Sequence, residues 1–157
     1  MVVGQLVPGG PSAGDCGAFL RPVPGPVVRT FAPEGSYGGH WGIDLEAEPG
    51  RVVRAAAAGT VSFAGVVAGM RSVTVHHGGG LRTSYSFLSS VMTSPGFVGR
   101  GSVVGLTGDD HGVSALHFSL RIRDRYLDPM LVLRCNAAVP APGLRLLPTG
   151  TATPSPS

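Results

Sequence analysis

Apolar and polar residues alternate through the middle of the chain, in short runs broken by glycine and proline. This period of two predicts strands over Val52–Ala56, Gly59–Val67, Ser72–His77, Leu81–Leu88, Ser102–Leu106 and Ala115–Arg123, because successive side chains of a strand point to opposite faces. Turn signals recur about every 8–12 residues, the spacing of all-β domains. Between two of the runs, Gly78-Gly79-Gly80 predicts a hairpin turn. In the last run Leu116, Phe118, Leu120 and Ile122 share one face, and Ala115, His117, Ser119 and Arg121 the other. His117 is therefore expected to face away from the apolar core. The predicted fold class is all-β, a small two-layer antiparallel sandwich or open barrel.

Composition narrows this picture without changing it. The 157 residues allow one domain. With 43% hydrophobic and 13% charged residues the chain is not disordered throughout, and 25 Gly with 14 Pro leave no window for a long helix. The chain divides into a flexible Gly/Pro-rich segment at 1–21, a patterned domain at 22–134, and a Pro/Thr/Ser-rich tail at 135–157 expected to be disordered. Within the tail, Leu144-Arg145-Leu146-Leu147 is a segment able to dock on the domain.

The net charge of +3 is spread over scattered basic residues, so no nucleic-acid footprint is visible. A basic surface also suits an anionic polymer such as a cell envelope. No apolar run approaches the ~18 residues of a membrane span, and the N-terminus shows no signal peptide. Cys16 and Cys135 fit neither a zinc ribbon nor a Cys-x-x-Cys motif; a disulfide between them or two free thiols are both open.

Candidate chemistry begins at Gly39-His40-Trp41-Gly42-Ile43-Asp44. A His and an Asp four apart fall on one side of a strand or a helix, within reach of one metal ion. His-x-x-x-Asp alone also describes a structural histidine beside a turn aspartate. Joined with His117 the pair becomes a His-Asp-His set, which suits Zn²⁺ and leaves a fourth position for water, as in catalytic zinc sites. Zinc so held acidifies that water and polarises a carbonyl.

Gly39-His40-Trp41-Gly42-Ile43-Asp44-Leu45, Pro49-Gly50-Arg51-Val52-Val53-Arg54-Ala55-Ala56, Gly59-Thr60-Val61, Val73-Thr74-Val75-His76-His77-Gly78, Leu81-Arg82-Thr83-Ser84-Tyr85, Gly105-Leu106-Thr107-Gly108 and Leu116-His117-Phe118 occur in this order. As an ordered set they resemble the lysostaphin-type (LytM-type) zinc endopeptidases that cut peptidoglycan peptides. The resemblance runs from about Pro26 to Pro129. It implies a LytM-like fold with a duplicated hybrid motif, a groove over a Zn²⁺ held by His40, Asp44 and His117, and action at the cell envelope, outside the cytoplasm.

The departures from the family pattern bear on activity. Ala115 stands where the family's His-x-His motif has its catalytic first histidine, and Phe87 stands where a Tyr-x-His-Leu pattern has another. Loss of a general acid or base typically costs ~10²–10⁴-fold in rate, and loss of an oxyanion donor ~10²–10³-fold. The expectation is a degenerate cell-wall binder or an activator of a cell-wall hydrolase. The alternative is an active zinc endopeptidase with an altered acid/base residue, for which His111 is the catalytic candidate. Tyr85 is a candidate substrate contact, although the family strand carries a Tyr there for structural reasons too. Peptidoglycan or a wall hydrolase is the expected partner. A lipoyl-type carrier is excluded, since the chain has no Lys.

Overall fold

The structure, a computed structural model, describes residues 19–133. Cys16, Cys135 and the readings of the tail lie outside the described residues. The strands are β1 Val27–Arg29, β2 Ala32–Glu34, β3 Gly38–His40, β4 Ile43–Glu46, β5 Val52–Arg54, β6 Gly59–Val67, β7 Met70–His76, β8 Leu81–Val91, β9 Gly96–Val98, β10 Val103–Thr107, β11 Ala115–Ile122 and β12 Arg125–Leu127, followed by one helical turn, α1 Met130–Leu133. All six strands expected from alternation are present, with β8 running three residues further than its pattern. The strands the pattern missed are all three or four residues long, too short for alternation to register.

Every pairing is antiparallel. The main sheet runs β1-β4-β11-β8-β7-β6-β9, and β5 joins it through β10, while β2 and β3 form a separate hairpin. β8 organises the fold. Up to Ser86 it lies between β7 and β11. From Leu88 onward β10 takes the place of β11, while Arg71 of β7 still pairs with Leu88. The change of partner falls at Phe87, whose φ of 61° is left-handed, and the Gly108 N–H donates to its carbonyl at 2.9 Å. The β5–β10 arm thereby folds over the main sheet. Val53 of β5 and Val104 of β10 share one buried cluster with Ile43, Val73, Tyr85, Leu116 and Phe118, and the core lies between the two layers.

Alternation on β11 holds through Leu120, with Leu116, Phe118 and Leu120 all at 0% exposure. It fails at the strand end, where Ile122 is 40% exposed. Phe19–Arg21, read with the flexible N-terminal segment, are held to the domain: Phe19 packs on the core cluster and the Leu20 N–H donates to the Ala56 carbonyl at 2.6 Å. Asp128-Pro129 follows the end of β12 and starts α1. The Asp128 carboxylate accepts from the Met130 N–H at 2.9 Å, an N-cap bond with Pro at the first helical position.

A polar chain runs beside β8 from the buried core at Ala56, Tyr85 and Thr83 to half-buried His77 and exposed Ala58. The Ala56 N–H donates to the Tyr85 hydroxyl at 2.7 Å, which lies 3.0 Å from Thr83 Oγ1. Thr83 Oγ1 lies 2.8 Å from His77 Nε2, and His77 Nδ1 lies 2.9 Å from the Ala58 carbonyl. A fixed donor at one end and a fixed acceptor at the other orient every proton between them. Tyr85 donates to Thr83, Thr83 to His77 Nε2, and His77 Nδ1–H to Ala58. The chain is complete with His77 neutral, and burial holds the His77 pKa below 6.5, with the Ala58 carbonyl opposing and His76 assisting.

Tyr85 is fully buried, and burial pushes its pKa up to about 12 against the bonds from Ala56 and Thr83. The unfolded phenol, near 10.0, ionises first. Stability is therefore whole below pH 10 and falls as the pH rises toward 12, by roughly 2–3 kcal/mol for a two-unit difference. Tyr85→Phe strands the Ala56 donor and should cost about 1–3 kcal/mol at neutral pH, while flattening the alkaline loss. Urea unfolding of both proteins at pH 8 and pH 11 measures the two effects.

Candidate metal centre

β3 and β4 would run on as one strand but for a bend at Trp41-Gly42. His40 closes β3, opposite Ala32 in the hairpin with β2. Gly39, at φ 81°, is needed there, since a Cβ would stand 2.3 Å from the Ala32 carbonyl oxygen. Asp44 lies in β4 directly opposite His117 of β11. His40 and Asp44 thus converge because the chain bends between them, not because they share one face of a strand. Their spacing pointed to the right meeting by the wrong route.

The three side chains crowd one point. His40 Nε2 is 3.0 Å from Asp44 Oδ1 and 3.1 Å from His117 Nδ1, and His117 Nδ1 is 2.8 Å from the same Oδ1. His40 is 7% and Asp44 4% exposed. The His40 Nδ1–H donates to the Thr30 carbonyl at 2.8 Å, which in a neutral ring leaves the Nε2 lone pair aimed at the other two atoms. Burial alone would raise the Asp44 pKa; the hydrogen bond and charge of His117, then those of His40, outweigh it and hold it below 3.8. Three electron-pair donors this close need a cation among them, a shared proton or a metal. Two imidazoles and a carboxylate are a donor set that suits Zn²⁺ with one position open, and Thr30 is the outer partner that fixes the His40 tautomer. The set forms a possible metal-binding group.

Gly42 supports His117 from below. A Cβ there would stand 2.8 Å from His117 Nε2 and 2.6 Å from the Phe118 carbonyl oxygen. The signal the sequence offers for this residue is its place between His40 and Asp44.

The centre opens into a groove of about 600 Å³. Its floor is a face of hydroxyls, Ser72, Thr74, Ser84, Ser86 and Ser119, and Phe63, Val67 and Met70 also line it. The hydroxyls are paired across strands, Ser72 to Ser86 at 2.9 Å and Thr74 to Ser84 at 2.9 Å. Alternation puts this polar face opposite the core face of the same strands.

The remaining candidates fall as follows. His111, with a side chain 92% exposed, lines the groove at φ 50°. The Phe87 ring meets His111 at 5.9 Å and His117 at 6.2 Å, so it sits against both. Ala115 is 0% exposed, paired with Glu46. Tyr85 is also 0% exposed, with its ring 5.3 Å from Phe118 and its hydroxyl spent on Ala56 and Thr83. The substrate contact expected of Tyr85 therefore has no surface from which to act, and its structural role stands.

A model of peptidase family M23 matches residues 38–129. No curated protein sequence matches the chain. Among solved structures, Csd3 of Helicobacter pylori is 28% identical with a TM-score of 0.66, over 74% of this chain and 33% of that one. A peptidase M23 of Pseudomonas aeruginosa is 27% identical with a TM-score of 0.63, over 83% of this chain and 55% of that one. The catalytic domain of lysostaphin, an antimicrobial peptidase of Staphylococcus simulans, is 24% identical with a TM-score of 0.57, over 69% of this chain and 90% of that one, a likeness of fold. The matched part spans a third to just over half of the first two proteins.

Three substitutions test the donor set. Asp44→Ala and His117→Ala each remove a ligand, and Zn²⁺ affinity should fall by at least the ~10–100-fold typical of losing an outer-shell partner. Gly42→Ala should weaken binding with all three ligand residues retained, because its methyl group displaces the His117 ring. Competition with a chromophoric chelator measures each affinity; equal affinity in Gly42→Ala and wild type would remove Gly42 from the design.

Proposed function

The chain belongs to peptidase family M23, and from that premise we propose that it is a zinc-holding domain acting at peptidoglycan, which binds the wall or a wall hydrolase without cutting. The observation that carries this reading is an intact His40-Asp44-His117 set with Phe87 packed against His117 and a buried Ala115 at the neighbouring position. Zinc, when bound, polarises a carbonyl and acidifies a water. Peptide hydrolysis also asks the chain for a group that moves a proton to the leaving amine and for a donor to the developing negative charge. Neither a phenyl ring nor a methyl group does either. The groove hydroxyls can hold and orient a peptide through hydrogen bonds, but a serine with no basic partner is a poor proton carrier.

One observation favours an active endopeptidase instead. His111 lines the same groove, where its exposed ring lies 3.6 Å from the Asp110 carboxylate and against Phe87, on a loop tied by the Asp110–Val113 bridge. In that reading His111 supplies the proton that Phe87 and Ala115 cannot.

The site of action in both readings is the cell envelope, outside the cytoplasm. Among the described residues no helix is long and apolar enough to cross a membrane.

Digestion of cross-linked peptidoglycan by the zinc-loaded protein separates the two, with released peptides read by mass spectrometry beside His117→Ala and His111→Ala. The expected result is one zinc per chain, retention on sacculi, and no new peptide termini from any of the three proteins. Termini that appear with wild type and vanish in both variants would establish the endopeptidase with His111 as its proton carrier.

A further inference from the structure

A second cleft, of about 610 Å³, opens beside the groove. Three turns of the chain meet there. The β2–β3 turn brings Ser36 and Tyr37, the bend before β4 brings Trp41, and the β11–β12 turn with β12 brings Asp124, Arg125 and Tyr126. Tyr37 is 97% exposed, although a tyrosine ring carries a large apolar surface that gains by being covered. The Trp41 and Tyr126 rings stand 5.6 Å apart at 60°, forming an angular notch. Tyr126 is held from behind by the Arg121 guanidinium, 4.9 Å from its ring centroid.

We propose that this cleft is a saccharide subsite, and that its ligand is a neutral pyranose. The warrant is the match of surfaces. A pyranose has an apolar C–H face that lies on an aromatic ring, and an edge of hydroxyls that donate and accept together. The cleft offers rings for the first, and for the second a carboxylate that accepts, a guanidinium that donates and a serine that does both. A proline-rich peptide would use the rings, but its backbone has few N–H groups for Asp124 to accept. The Asp124 carboxylate lies 3.9 Å from the Arg82 and 3.7 Å from the Arg121 guanidinium, so its charge is already balanced and it serves as an acceptor for hydroxyls rather than as a counter-ion for a cationic ligand. Trp41 and Tyr126 line the groove as well as the cleft, so a sugar in the cleft continues into whatever lies in the groove. The inference deepens the wall-binding reading and rests on it only for the choice of an amino sugar as the probe.

The chain contains a single Trp, and that residue stands in the cleft. Its fluorescence therefore reports occupancy directly. The full chain is titrated with the tetramer of β-1,4-linked N-acetylglucosamine, with calorimetry alongside. A saturable fluorescence change is expected, and Tyr37→Ala and Tyr126→Ala should each weaken binding roughly three- to tenfold, while Tyr126→Phe stays near wild type. Tyr37 is nearly free of contacts by its exposure, so its variant tests the cleft even if Tyr126→Ala fails to fold. No fluorescence change or heat at millimolar sugar overturns the proposal, as does undiminished affinity in Tyr37→Ala and Tyr126→Ala. Binding of a proline-rich peptide in place of the sugar overturns it too. Retention on sacculi, measured separately, tells the failure of this cleft from the failure of the wall-binding reading.

Discussion

Asp44 sets the terms for the rest of the site. A carboxylate at 4% exposure is expensive to keep charged, and with a His40 and a His117 nitrogen within 3.0 Å of its oxygen it calls for a cation shared among the three. Each nearby device serves that one charge. The β4–β11 register puts His117 directly across from it. The Trp41-Gly42 bend turns His40 back toward it, and the Thr30 carbonyl fixes which His40 nitrogen faces inward. Moving any strand by one residue would turn its ligand into the core. The sheet's stability and the donor set's geometry are therefore one requirement, met by the same hydrogen-bonded ladders.

Alternation made the long strands legible because each has a buried and a wet face. It also placed His117 correctly, since neighbours of opposite character on β11 left only one face for a polar ring. The short pieces β1 to β4 were not legible. Three or four residues carry too little periodicity, and their pairing is decided by long-range partners that a local pattern does not contain. The motif residues His40 and Asp44 could be picked out, but the bend joining them could not. Tyr85 illustrates the opposite failure. A tyrosine in a strand beside a groove is compatible with either face, and its burial is decided by Ala56, whose N–H needs an acceptor that no sequence window pairs with it.

The two faces of β8 divide the labour. On one face Thr83 and Tyr85, both at 0% exposure, close a directed chain of protons ending at Ala58. On the other, Ser84 and Ser86 meet Thr74 and Ser72 to make the groove floor. The buried face is fully satisfied, which favours rigidity. The open face has hydroxyls paired with one another, which a ligand can re-pair at little expense. A rigid back and an exchangeable front suit a surface that holds an extended polar ligand.

Phe87 is at once the corner where β8 changes partners and the ring lying against His117. Its φ of 61° is an unfavourable conformation for an aromatic side chain; strain of this kind is typically about 1–3 kcal/mol. Histidine enters the left-handed region several times more readily than phenylalanine does. The backbone of this corner is therefore better suited to the histidine that the sequence resemblance expects there than to the phenylalanine it carries. At this one corner the surrounding ladders hold a phenylalanine against the preference of its own backbone.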